Sequence, residues 1–178
     1  MRVVLRVFLL AGLICGSISA GTIQYQVVDL GQNAFRISYS LSDFMFLENQ
    51  ELAIGFDPAI YQSLSNGIAP AGFDLLLLQP NNPPGAFGEF SALALMDNPA
   101  LSGIFSVDVV LTGRGRPGEQ SFAVNQLDEN GVILSTISSG VTVDAAAAPE
   151  PATLSLAGAA LLAGAVLSVV RRRFYRRT

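Results

Sequence analysis

In Phe35-Arg36-Ile37-Ser38-Tyr39-Ser40-Leu41-Ser42 every second residue is apolar and every residue between is polar or charged. Successive side chains of a β-strand point to opposite faces, so this stretch reads as a strand with one buried and one wet face. Wound at the helical period, the same residues would scatter around the axis. The pattern repeats on both sides, with Ile23, Tyr25 and Val27 before it, then Leu52, Ile54 and Phe56, and later Phe105, Val107, Val109 and Leu111. Further strands are expected over residues 73–79, 89–96, 121–127, 132–137 and 141–143. Between them stand Asp57-Pro58, Asn66-Gly67, Asn81-Asn82-Pro83-Pro84-Gly85, Asn98-Pro99, Gly113 to Gly118 and Asn130-Gly131, residues that favour turns because they tolerate or impose special backbone angles.

About nine short strands punctuated this way predict an all-β domain, an antiparallel β-sandwich over residues 22–144. Residues 58–64 are the one stretch with helical character, expected as one or two turns capping an end of the sandwich. A domain of this size buries roughly two-thirds of its unfolded surface and needs neither disulfide nor metal to fold.

The 178 residues contain ten Arg, no Lys and no His, and the single Cys is Cys15. Seven Arg lie near the ends; between them Arg36, Arg114 and Arg116 face thirteen carboxylates, a net of -10. That charge repels phosphate backbones and argues against nucleic acid as a partner. Without imidazole, lysine amine or a thiol outside the leader, Ser-His-Asp, Cys-His and Schiff-base chemistry are excluded. Zinc is disfavoured for the same reason, and no cofactor is implied; carboxylate chemistry and hard cations remain open.

Both ends read as addresses. Residues 1–21 combine Arg2 and Arg6, a short apolar run and the small residues Gly16-Ser17-Ile18-Ser19-Ala20-Gly21, the plan of a secretory signal peptide cut near Ala20 or Gly21. Residues 152–170 carry no charge, and as a helix rising 1.5 Å per residue they extend about 28 Å, enough to cross a bilayer. Arg171, Arg172, Arg173, Arg176 and Arg177 in the tail, 171–178, then act as a stop-transfer cluster that stays cytoplasmic. Residues 145–151 form an extended linker, because Pro149 and Pro151 bias Ala148 and Glu150 away from helical angles.

Pro149-Glu150-Pro151, followed by the apolar segment and the Arg cluster, resembles the PEP-CTERM sorting signal of Gram-negative bacteria. In that family a membrane protease, exosortase, recognises the tripeptide region and removes the helix and tail. The resemblance implies that Pro149, Glu150 and Pro151 are a processing recognition site. It also implies export across the inner membrane, a transient membrane anchor, and release to the cell surface or a biofilm matrix. Expected partners are signal peptidase, the export machinery, an exosortase-like protease and extracellular polysaccharide. Separately, Glu51-Leu52-Ala53-Ile54-Gly55-Phe56-Asp57-Pro58-Ala59-Ile60-Tyr61 resembles the strand and aromatic-Asp-Pro turn of cohesin-like and carbohydrate-binding sandwiches, which implies an extracellular adhesion or scaffold module.

Three constellations could carry chemistry. Asp128-Glu129-Asn130-Gly131 gathers oxygen ligands but lacks the alternation and terminal Glu of a calcium loop, and fits a hairpin turn. Gly113-Arg114-Gly115-Arg116-Pro117-Gly118 is a basic spot suited to an anionic polysaccharide or to a solvated loop. Asp57 with Asp74, or Asp97 with Asp108, would be needed as acid and base by a carboxylate glycosidase, the alternative to a non-enzymatic role. An uncut single-pass membrane protein is the third reading. Tyr25 and Tyr39 fit the buried alternation, which leaves Tyr61 as the expected exposed aromatic contact.

Overall fold

The computed structural model describes residues 21–146. The leader, Pro149, Glu150 and Pro151, the apolar segment and the Arg cluster at 171–177 lie outside the described residues. Ten strands run in the order β1 (Thr22–Gly31), β2 (Ala34–Ser42), β3 (Gln50–Phe56), β4 (Tyr61–Ile68), β5 (Phe73–Leu78), β6 (Gly88–Ala94), β7 (Phe105–Leu111), β8 (Ser121–Leu127), β9 (Ile133–Val141) and β10 (Val143–Asp144). They form two five-stranded sheets, β10-β1-β2-β7-β4 and β5-β6-β3-β8-β9. All neighbours pair antiparallel except β1 with β10. The fold is therefore all-β, with no helix among the described residues.

The alternation does what side-chain period 2 requires. Phe35, Ile37 and Tyr39 of β2 are buried and meet Val109, Val107 and Phe105 of β7 directly across the ladder. Leu52, Ile54 and Phe56 of β3 enter the same core from the second sheet. Aromatic pairs cross the interior in edge-on geometry, Phe73 to Phe105 at 5.2 Å and Phe56 to Tyr61 at 5.0 Å between ring centroids. The arrangement is sandwich-like, one core between two sheets.

Of residues 58–64, expected as one or two helical turns, only 58–60 make a single turn that is not continued. Asp57 closes a turn by accepting bonds at its carbonyl from the Ile60 and Tyr61 amides (2.9 and 2.8 Å) and at Oδ1 from the Ala59 amide (2.8 Å). The chain then continues as β4. Its register with β7 shifts between Tyr61 and Ser63, so the buried residues Tyr61 and Leu64 stand three apart, a helical spacing produced by a β-bulge. The outer edge of β4 is closed by a side chain: the Leu64 amide donates to Gln79 Oε1 (3.0 Å) and Gln79 Nε2 donates to the Leu64 carbonyl (2.9 Å).

The stretch 141–143, expected as one strand, is a corner. Val141 ends β9 in the second sheet, Thr142 turns inward with no exposed surface, and β10 begins in the first sheet beside Gln24 and Tyr25.

Candidate functional site

The basic loop at residues 112–120 connects β7 to β8 at the end of the molecule that also carries the β1–β2 hairpin and the Asp57 turn. Two surface depressions flank it. One, of about 260 Å³, is lined by Val27, Asp29, Phe35, Gly115 and Arg116. The other, of about 230 Å³, is lined by Ile60, Leu111 and Thr112 together with Arg114 and Arg116. Each sets apolar side chains beside a guanidinium, but the first also holds the Asp29 carboxylate, so that the second is the better suited to an anionic group. Arg114 and Arg116 are exposed, whereas Arg36, the remaining Arg of the described residues, is neutralised. Its Nε and Nη2 donate to the two carboxylate oxygens of Asp108 at 2.7 and 2.8 Å, directly across the β2–β7 ladder.

Behind the loop a buried network fixes its last residue. Gln120 Nε2 donates to the Tyr61 hydroxyl (2.9 Å) and to the Gly118 carbonyl, while Gln120 Oε1 accepts from the Tyr39 hydroxyl (3.3 Å) and from Thr142 Oγ (3.1 Å). Tyr61 is therefore not the exposed contact expected from the sequence; it is 3% exposed, and burial pushes its phenol up. Its partner lies 59 positions away in sequence, and nothing local to either residue announces the pair.

The carboxylate pairs are not brought together. Asp57 follows the end of β3, whereas Asp74 is level with Glu51 at the start of that strand, since both sit opposite Leu93. Six residues of extended chain separate the levels, roughly 20 Å, against the 5 to 9.5 Å that a glycosidase pair requires. Asp97 accepts the Glu48 amide at 2.9 Å in a loop after β6, and Asp108 lies in the other sheet, held by Arg36 and by Asn66 Nδ2 (2.9 Å). At Asp128-Glu129-Asn130-Gly131 the chain makes a hairpin turn: Asp128 Oδ1 accepts from the Asn130 and Val132 amides at 2.9 and 2.8 Å, and Gly131 supplies φ of 78°. Among the described residues no group of three His, Cys, Asp or Glu converges as a metal site.

The Arg36 hydrogen bond holds the Asp108 carboxyl below its usual range, with Asn66 adding to the effect against the cost of burial. Because the folded value is depressed, the stabilisation is present above about pH 4, the ordinary carboxylate range, and fades as pH falls through the folded value. Asp108→Asn is expected to cost about 1–2 kcal/mol at pH 7. The gap from wild type should close on acidification below about pH 4. Denaturant melts across pH test this; a gap that does not change with pH would mean the carboxylate charge contributes nothing.

No family model matches the chain, and no curated protein does. Among solved structures it is similar to a GH20 exo-β-N-acetylglucosaminidase from Vibrio harveyi, in complex with N-acetylglucosamine, at TM-score 0.33 and 17% identity. A D437A inactive mutant of that enzyme matches at TM-score 0.32 and 17% identity. In both cases 71% of this chain is covered but only 18% of the enzyme. Similarity at this level carries no inference about activity.

Proposed function

We propose that the chain is an exported, non-enzymatic surface or extracellular-matrix protein, structural or adhesive in role and delivered through a C-terminal sorting signal of the PEP-CTERM type. The observation that carries the reading is the order of three parts at the C-terminal end: Pro149-Glu150-Pro151, a 19-residue uncharged segment, and five Arg within the last eight residues. The tripeptide is the site for an exosortase-like protease, the apolar segment holds the substrate in the membrane, and the Arg cluster stops translocation. The Arg114 and Arg116 end of the β-domain supplies the adhesive surface, with anionic polysaccharide as its partner.

The test is intact mass of the protein from cells and medium of the native host. The expected product lacks the first twenty or so residues and everything after about Glu150. It is retained on a polyuronate gel, and Arg114→Ala with Arg116→Ala weakens the retention. Replacing Pro149, Glu150 and Pro151 with Ala should leave uncut precursor in the membrane. A wild-type protein that keeps its Arg tail in every fraction would instead be a permanent single-pass membrane protein.

A further inference from the structure

We propose that β9 is an interface between two copies of this chain, each β9 pairing antiparallel with the other about a two-fold axis near Ile137 and joining two five-stranded sheets into one of ten. Among the described strands β9 has one neighbour, β8, and forms the edge of its sheet. Its register with β8 shifts twice, leaving Leu134 and Ile137 with no opposite residue. Both are turned out of the domain's own core, 65% and 53% exposed, and Ile133 and Val141 are similarly exposed at 57% and 55%.

The other strands at the sheet margins are guarded. β4 is closed by Gln79, β1 is flanked at Gln24 and Tyr25 by β10, and β5 carries Asp74. From Val132 to Val143, by contrast, there is no charge and no proline, so that of the devices that ordinarily keep an edge from pairing only the bulges at Leu134 and Ile137 are present.

The sequence of the strand points to its own copy as occupant. Read outward from Ile137, Ile-Leu-Ser-Thr-Ile-Ser-Ser-Gly-Val places Thr136 against Ser138, Ser135 against Ser139, Leu134 against Gly140 and Ile133 against Val141. Hydroxyl faces hydroxyl at two pairs and Ile133 faces Val141, pairings that favour an antiparallel ladder, while Gly140 leaves room for Leu134. Charge weighs against the parallel direction. The acidic Asp128-Glu129 hairpin precedes β9, while at its far end Arg114 and Arg116 are balanced by Glu119 and Asp144. Antiparallel pairing sets each acidic hairpin at the balanced end of the other copy; parallel pairing would set the two hairpins side by side.

The test is light scattering on the full chain in mild detergent at high protein concentration, with detergent mass subtracted. A dimer is expected, and Ile137→Lys, which places a charge on the axis of an already exposed position, should halve the protein mass. On a Cys15→Ser background, Ile137→Cys should form a disulfide-linked dimer on mild oxidation and Ile133→Cys should not, a readout that survives if the Lys variant folds poorly. A wild-type monomer, an unchanged dimer in Ile137→Lys, open-ended oligomers, or equal cross-linking at 133 and 137 would each overturn the proposal.

Discussion

Gln120→Ala is expected to destabilise the β-domain by about 3–5 kcal/mol, the sum of several buried polar groups left unpaired at about 1–3 kcal/mol each. For a domain of this size that lowers Tm by on the order of 10–20 °C. Gln120 is 2% exposed, and the groups it satisfies are Tyr39 (3%), Tyr61 (3%) and Thr142 (0%). Through these it links β2 and β4 of one sheet to the corner where the chain leaves the other. Thr142 is partly spared, because its hydroxyl still accepts the residue-120 backbone amide and its own amide still donates to the residue-120 carbonyl. The two phenols are not. Burial already pushes the Tyr39 phenol far up, so a loosened network should also let it ionise at lower pH, visible in the ultraviolet titration. Urea unfolding reads the main effect. A loss under about 1 kcal/mol would show that water replaces the amide at no net cost.

Where a strand keeps strict period 2 and buries one face, its sequence announces it: Phe35, Ile37 and Tyr39 all lie in the core with Arg36 and Ser38 outward. β4 was hidden because its bulge places Tyr61 and Leu64 at helical spacing, so a local pattern carried the wrong period. The corner at Thr142 was hidden for another reason. One residue switching sheets leaves no mark in composition, and β10 pairs with β1 across more than a hundred positions of chain. The basic loop was visible as Arg114 and Arg116. The apolar residues that line its depressions were not, since Val27, Phe35 and Ile60 join it only through tertiary folding. Likewise β9 reads as a strand from its β-branched residues, but its place at an edge depends on the order of the whole sheet.

Phe105→Ala is expected to cost about 3–5 kcal/mol, a large fraction of the 5–15 kcal/mol that holds a typical domain folded. The ring is fully buried on β7 of the first sheet and stands edge-on to Phe73 of β5 in the second. Phe73 meets Phe46 at 5.5 Å, Phe46 stacks on Phe44 at 6.0 Å, and Phe44 meets Phe122 of β8 at 6.1 Å. Phe105 is thus the first-sheet end of a row of rings that passes through the loop after β2, which is tied down by the Asn98 amide on the Phe46 carbonyl and the Glu48 amide on Asp97. Those ties resist collapse, so the space left by the ring stays open and the transfer and cavity costs add. Phe105→Leu, which refills most of the volume, should lose less than half as much. Urea melts of both variants at unchanged m-value check this. Equal losses for Ala and Leu would mean that the ring geometry, not the filled volume, sets the stability of this end.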